Sequence, residues 1–99
     1  MIVVAGTLEL NPEDMDEAIG YVRDVVHATN QEEGCITYGF SRDLDNAGTF
    51  HIYEEWESEA HLAAHGKAGH MTAFRKKLGA LRVIDRSLKV FEGSNERAL

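Results

Sequence analysis

Two hydrophobic periodicities alternate along the chain of 99 residues, and their order restricts the fold more than any single motif does. Apolar residues at every second position are typical of β-strands, whereas apolar residues three and four apart are typical of amphipathic helices. The strand pattern occupies four segments, 2–10, 35–42, 49–56 and 81–92. The helix pattern follows the first and third of these segments, so the sequence predicts the order β-α-β-β-α-β.

The helices have recognisable boundaries. Asn11 and Pro12 mark the start of the first helix, because Asn caps free backbone N–H groups and Pro suits the first helical position. An apolar stripe then continues for about five turns, and Gly34 is expected to end the helix. The second helical region is interrupted at residues 66–69, so residues 70–78 are predicted to form a separate piece.

Alternation assigns side chains to the two faces of the hairpin formed by the second and third strands. One face of the second strand is expected to carry Ile36, Tyr38 and Phe40. One face of the third strand is expected to carry Phe50, Ile52, Glu54 and Trp56, and the other face His51 and Tyr53. The inward-facing sets are the predicted core of the hairpin.

The order of elements is the split β-α-β arrangement of ferredoxin-like α+β folds, with both helices on one face of an antiparallel sheet. Apolar residues occur at both parities in the first and third strands, so the uncovered face is expected to be an interaction surface. We therefore infer a homodimer in which two sheets pack face to face, with His51 and Tyr53 at that surface.

Length and composition exclude several classes of protein. We expect a single domain with its core at residues 2–91 and a loose tail at 93–99, with no room for a separate cofactor domain. The 17 acidic and 10 basic residues give a net charge of −7, which argues against binding to nucleic acid or to anionic membranes. No apolar run approaches the length of a membrane span, and the apolar start of the chain lacks basic residues and soon meets Glu9, so neither a membrane span nor a signal peptide is expected. Cys35 cannot form an internal disulfide, so the expected compartment is a reducing cytoplasm, with Cys35 a buried apolar residue.

Three stretches resemble one known family, and they read Glu33-Gly34-Cys35-Ile36-Thr37-Tyr38, then Tyr53-Glu54-Glu55-Trp56-Glu57-Ser58-Glu59-Ala60, then His65 with His70 and Phe74. In this order and spacing they are similar to the antibiotic biosynthesis monooxygenase domain, a dimeric α+β barrel group that includes small quinol monooxygenases. The resemblance covers residues 2–91.

This resemblance implies a pocket in each subunit, between the helices and the sheet. It also implies oxygenation of a small aromatic substrate, such as a quinol, by O₂ with no flavin, haem or metal cofactor. A phenolate can itself give an electron to dioxygen, so the protein need only bind the ring, assist deprotonation and hold the radical pair together.

His65 and His70 match the two histidine positions of the family, on either side of the helix break. A neutral imidazole can accept a phenolic proton, so one of them is the candidate catalytic base. Either could instead be a helix-terminal residue that bonds to backbone groups. The sequence does not distinguish the two, and Ala68-Gly69 stands where the family often has Ser-Pro.

Four further residues are candidates for substrate binding. Trp56 matches the family tryptophan and would form an aromatic wall, or else bury the end of its strand. Tyr38 could hydrogen-bond a substrate oxygen or pack between sheet and helix. Glu54 could orient a histidine, or pair with a basic residue at the subunit contact. Phe74 is expected to face inward, four residues after His70.

Other chemistries remain open or are disfavoured. His61 and His65 have a chelating spacing, but no Glu follows His61, so no metal site is expected. The family members that degrade haem resemble one another in an Asn late in the first strand. This chain has Gly6-Thr7-Leu8-Glu9 in that region, so haem degradation is not expected. An isomerase of small carbonyl compounds and a non-enzymatic small-molecule binding domain are the alternatives.

Overall fold

Four antiparallel strands form one sheet, with helices on one of its faces, in a computed structural model that describes residues 1–99. The strands are β1 (Ile2–Leu10), β2 (Cys35–Arg42), β3 (Thr49–Trp56) and β4 (Val83–Glu92). The helices are α1 (Met15–Thr29), α2 (Glu59–Gly66) and α3 (Gly69–Leu78), and a short 3₁₀ helix (Pro12–Asp14) precedes α1. The strand order β2-β3-β1-β4 confirms the ferredoxin-like α+β prediction.

The start of the first helix follows its sequence signals. The side chain of Asn11 accepts a hydrogen bond of 2.9 Å from the backbone N–H of Glu13, as an N-cap residue does. The first turn is 3₁₀, and α1 begins at Met15. Buried apolar side chains along α1 pack against the sheet and against α3.

The end of α1 differs from the prediction. The helix ends at Thr29 and not at Gly34, because Asn30 closes it: its side-chain amide donates to the Val26 carbonyl (2.8 Å) and to the Tyr38 carbonyl (3.1 Å). Gly34 lies four residues beyond Asn30, with a positive φ of 81° that redirects the chain into β2. Residues 31–34 therefore form a turn, and this turn carries Glu32.

The break in the second helical region is confirmed but is shorter than predicted. Only Lys67 and Ala68 lie between α2 and α3, since α2 extends to Gly66 and α3 begins at Gly69. At the other end of α2, the Ser58 hydroxyl accepts a hydrogen bond from the His61 N–H (3.2 Å) and caps the helix.

Strand pairing sets which side chains face the helices. The register Ile2–Trp56, Val4–Glu54 and Leu8–Phe50 aligns the inward residues of β1 and β3, as the alternation predicted. A bulge between Cys35 and Thr37 shifts the start of β2. The prediction that Ile36 shares the face of Tyr38 and Phe40 is therefore wrong, and Ile36 is half-exposed.

The core lies between the helices and β1, β2 and β3, and its buried apolar residues are Ile2, Val4, Leu8, Leu10, Met15, Ala18, Val22, Val25, Tyr38, Phe50, Ile52, Trp56 and Phe74. In contrast, β4 is exposed along almost its whole length. Its residues Arg86, Leu88 and Val90 pair with inward positions of β1, so they face a space that no helix fills.

The other face of the sheet carries no helix. Tyr53 of β3 and Phe91 of β4 are both about half-exposed there. After β4, residues 93–99 form neither helix nor strand, although Gly93 and Met1 still exchange backbone hydrogen bonds of 2.7 and 2.9 Å. None of the three helices combines the length and the apolar character needed to cross a membrane.

Candidate active site

A cavity of about 640 Å³ lies between the sheet and helices α2 and α3. All four strands contribute to its wall, which is mostly apolar. Its polar side chains are those of Tyr38, Glu54, His65, Arg75 and Arg86. A largely apolar cavity with a few convergent polar groups is the usual form of a small-molecule site, and the volume lies within the common range of roughly 300–1,000 Å³.

His65 is the buried imidazole of this cavity. It lies in the last turn of α2, and its Nδ1 is 2.7 Å from Oε2 of Glu32. An ionised carboxylate can only accept, so Nδ1 is the donor, and in the neutral imidazole the lone pair then lies on Nε2. Nε2 has no hydrogen-bond partner within the protein. It is not completely buried either, since the only completely buried side-chain polar atom without a partner is Oγ1 of Thr29. In that tautomer the imidazole has an acceptor nitrogen available at the cavity that His65 lines.

His70 meets the same carboxylate from the other side of the helix break. Its Nε2 is 2.8 Å from Oε2 of Glu32, the same oxygen that His65 contacts. His70 does not line the large cavity but borders a smaller one of about 140 Å³, next to Tyr21 and Lys77. The structure therefore brings the two predicted histidines together through Glu32, and only His65 reaches the large cavity.

Sequence reasoning missed Glu32. It lies in the turn between α1 and β2, 33 residues before His65 and 38 before His70, and a turn has no periodicity that marks an inward side chain. The signal that could have found it is its position directly before the Glu33-Gly34-Cys35 stretch that carries the resemblance.

Trp56 lies behind His65 and not on the cavity wall. It is fully buried, and its ring centroid is 4.7 Å from that of His65. As the last inward residue of β3, it is covered where α2 folds back over the strand end. Of the two roles predicted for Trp56, its position is that of a residue that buries the end of its strand, and the aromatic side chains at the cavity are those of Tyr38, Phe40 and Phe74.

Glu54 is a carboxyl group in an apolar environment. Burial raises the pKa of Glu54 above its ordinary value, and the nearby Trp56 N–H, His65 and Arg86 offset this only in part. Oε1 accepts a hydrogen bond of 2.9 Å from the Trp56 indole, while Oε2 has no partner within the protein. Glu54 is thus a second polar group at the cavity, and it keeps its proton to a higher pH than an exposed carboxyl does.

Tyr38 and two arginines complete the polar lining. Burial, together with the charges of Glu54 and Glu32, raises the pKa of Tyr38, so its hydroxyl stays protonated and can donate. Arg75 donates to the Gly66 carbonyl at 2.8 Å, whereas Arg86 forms no ion pair. The parity of Arg86 with Leu88 and Val90 on β4 was the signal for its inward position.

The remaining candidates have structural roles. His61 does not form a chelating pair with His65, because its Nδ1 is 2.8 Å from the Ser58 hydroxyl. Cys35 is only partly buried and not the fully buried residue that was predicted, and this partial burial raises the pKa of its thiol, which favours the unreactive form. On the opposite face of the sheet His51 pairs with Asp43 at 2.6 Å, far from the cavity, as its parity predicted.

Comparison with known proteins agrees with the fold and locates the chain among its relatives. Residues 1–77 match the family model described as antibiotic biosynthesis monooxygenase. An uncharacterised Synechocystis protein, sll1783, is 26% identical over 98 residues, which cover 99% of this chain and 67% of that protein. A Deinococcus radiodurans protein named for the same family has a crystal structure that matches with a TM-score of 0.93 at 27% identity, over 100% of this chain and 98% of the other. A conserved Methanosarcina mazei Go1 protein matches with a TM-score of 0.86 at 25% identity, over 94% and 92% of the two chains.

Proposed function

The chain belongs to the antibiotic biosynthesis monooxygenase family, and on that premise we propose that it oxidises a quinol or another electron-rich aromatic with O₂. The observation that carries the proposal is the His65 imidazole, held by Glu32 with its second nitrogen free at an apolar cavity. A general base must lie within reach of the proton it removes and hold the correct tautomer, and this geometry favours both.

The proposed reaction needs no electron donor other than the substrate. Nε2 of His65 takes the hydroxyl proton, and the resulting phenolate gives one electron to O₂. The semiquinone and superoxide radicals combine into a C–O–O bond, whose O–O bond then breaks. One oxygen atom stays on the ring and the other leaves as water, so quinol plus O₂ gives hydroxyquinone plus water, and the ring has supplied all four electrons.

Neighbouring groups favour the charged intermediates. The Arg86 guanidinium and the Tyr38 hydroxyl, both at the cavity, would stabilise the phenolate oxygen. Glu32 would stabilise the imidazolium that forms on His65, as a carboxylate does when it orients a catalytic histidine. Phe74 and Tyr38 would hold the ring, and Trp56 would support the His65 ring from behind. His70 would act through Glu32.

The test is oxygen consumption with a panel of quinols and flavonols. We expect uptake of O₂ with a product heavier by one oxygen and lighter by two hydrogens. His65→Ala should lower the rate by about 10²–10⁴-fold, the usual contribution of a general base. His61→Ala, one turn earlier on α2, is the matched control. Turnover of His65→Ala within twofold of the wild type would remove the proposed base.

A proton-transfer reaction is the second candidate. Glu54 and His65 both face the cavity, and two proton-handling groups could move a proton between neighbouring carbons of a small carbonyl compound. Such an isomerase would work at the same rate under argon, whereas the oxygenase would stop. Saturable ligand binding with no product under either atmosphere would indicate a binding domain.

We also propose that two copies pair through the sheet face that carries no helix. Half-exposed Tyr53 and Phe91 lie on that face, and apolar surface of this kind is normally covered. Phe91→Asp would bury an unpaired charge at the contact and should yield monomers in light scattering at concentrations where the wild type is dimeric. Leu44→Asp, at an exposed turn, is the control. A monomeric wild type would contradict this arrangement.

A further inference from the structure

The three side chains that meet beside the cavity also form a donor set for a metal ion. Oε2 of Glu32, Nδ1 of His65 and Nε2 of His70 all lie within 4.8 Å of one another. They come from three separate elements, a turn, α2 and α3, so their convergence is a property of the fold and not of local spacing. We propose that this Glu32–His65–His70 cluster binds a divalent transition-metal ion of the Zn²⁺ type.

The donor chemistry suits such an ion. Two imidazole nitrogens and one carboxylate oxygen are a common set for Zn²⁺, with water as the fourth ligand. The side chains of His65, Glu32 and His70 are 6%, 16% and 28% exposed. One side of the cluster therefore opens to solvent through His70, which gives the ion an entry path and the water a position.

The adjustment required is small. A tetrahedral ion with bonds of about 2.0–2.2 Å separates its donor atoms by about 3.3–3.6 Å. The present distances from Oε2 are 2.7 and 2.8 Å, and the three donor atoms lie within 4.8 Å of one another, so the carboxylate must withdraw by less than about 1 Å while the two imidazole nitrogens approach each other by up to about 1.5 Å. Glu32 lies in a turn, and its side chain forms no hydrogen bond except those to the two histidines.

Metal binding would change the tautomer of His65. Without metal, the His65 proton is on Nδ1 and Nε2 is an acceptor at the cavity. An ion on Nδ1 displaces that proton to Nε2, which becomes an N–H donor and can no longer accept a proton. Occupancy of the cluster would therefore inhibit the base, a consequence that rests on the proposed function, whereas binding of the ion does not.

The binding test uses the full chain and Co²⁺, whose tetrahedral complexes absorb visible light, with Zn²⁺ as competitor. We expect one equivalent of Co²⁺ to bind, and Glu32→Gln and His70→Ala to weaken the affinity by at least about tenfold. His51→Ala, which removes one member of a two-donor His–Asp pair on the other face, is the matched control. Circular dichroism melts establish that each variant is folded.

The outcomes test metal binding and inhibition of the His65 base separately. Absence of saturable binding, or equal affinity in the wild type, Glu32→Gln and His70→Ala, overturns the metal site whether or not the protein has oxygenase activity. In an active protein, saturating Zn²⁺ should suppress oxygen uptake by the wild type, while the turnover that His70→Ala retains should respond much less. Unchanged uptake with the site demonstrably full would overturn the tautomer switch.

Discussion

The indole N–H of Trp56 donates a hydrogen bond of 2.9 Å to Oε1 of Glu54, two residues earlier on the same face of β3. Both residues are almost completely buried, so this bond is the internal compensation for placing a carboxyl group in the core. It also orients the carboxyl so that Oε2 remains free at the cavity. The bond connects the stability of the fold to the chemistry of the site.

Trp56→Phe should destabilise the protein through Glu54. The substitution keeps a ring next to His65 but leaves a buried carboxyl oxygen without its donor, which costs about 1–3 kcal/mol. Urea unfolding measures this loss, and a double-mutant cycle with Glu54→Leu, which cannot accept the indole hydrogen bond, isolates the pair from the lost indole area. Tyr53→Phe, which removes an exposed bond to Glu55 on the same strand, is the control. A coupling energy of zero would contradict the argument.

Glu54→Gln should stabilise the protein at neutral pH but not in acid. Burial raises the pKa of Glu54 above 4.5, so the native carboxyl retains its proton at pH values where the unfolded chain has lost it. The native state then binds more protons, and stability falls as the pH rises through the interval between the two pKa values. Glu54→Gln removes this fall and can still accept from Trp56.

Thermal melts across a pH series measure the effect. The melting temperatures of Glu54→Gln and the wild type should run parallel below the unfolded-state pKa of 4.5, and the variant should gain an advantage at higher pH. Glu55→Gln, on the opposite face of the same strand, is the matched comparison. An advantage of the same size at every pH would mean that packing and not ionisation is responsible.

Glu32→Gln should lower kcat while leaving KM nearly unchanged. The amide keeps the size of the side chain but loses the charge that fixes the His65 tautomer and stabilises its protonated form. We expect a loss on the order of 10²-fold in kcat. KM should change little, because Glu32 does not line the cavity. Steady-state oxygen uptake distinguishes the two constants, and Glu33→Gln should behave like the wild type.

Gly34→Ala should destabilise the turn that carries Glu32. The backbone of Gly34 has a φ of 81°, and an added Cβ would lie 2.1 Å from Cγ of His61. The combined strain and overlap should cost at least about 1–2 kcal/mol. Gly20→Ala is the opposite case, since its Cβ would meet nothing within 4 Å and a helical alanine gains about 0.5–1 kcal/mol. Equal melting temperatures for the two variants would contradict this account.

The elements that could be predicted from the sequence are those in which apolar side chains recur at a regular spacing. Strands β1, β2 and β3 have the predicted bounds because their side chains alternate between core and the other face. The bulge at Ile36 and the early end of α1 could not be predicted. Both depend on long-range contacts, such as the bond from Asn30 to the Tyr38 carbonyl, that leave no periodic trace.

The residues of the candidate site likewise include some that the sequence could predict and some that it could not. His65 and His70 could be found because they flank the helix break and match a family pattern. Glu32 could not, because only the folded chain brings its turn to α2 and α3. Alternation along β3 predicted which face of the sheet carries Trp56. Its complete burial depends on how α2 covers the end of β3, which no local pattern shows.

The two-residue break between α2 and α3 determines how the histidines converge. In an uninterrupted α-helix, positions five apart diverge by about 140° around the axis, so His65 and His70 would project to different sides of the protein. Lys67 and Ala68 re-phase the second helix and aim both rings at one oxygen. A single residue inserted at this joint would uncouple the two histidines while every side chain of the Glu32–His65–His70 cluster stayed the same, so the length of this linker is as much a part of the site as the side chains are.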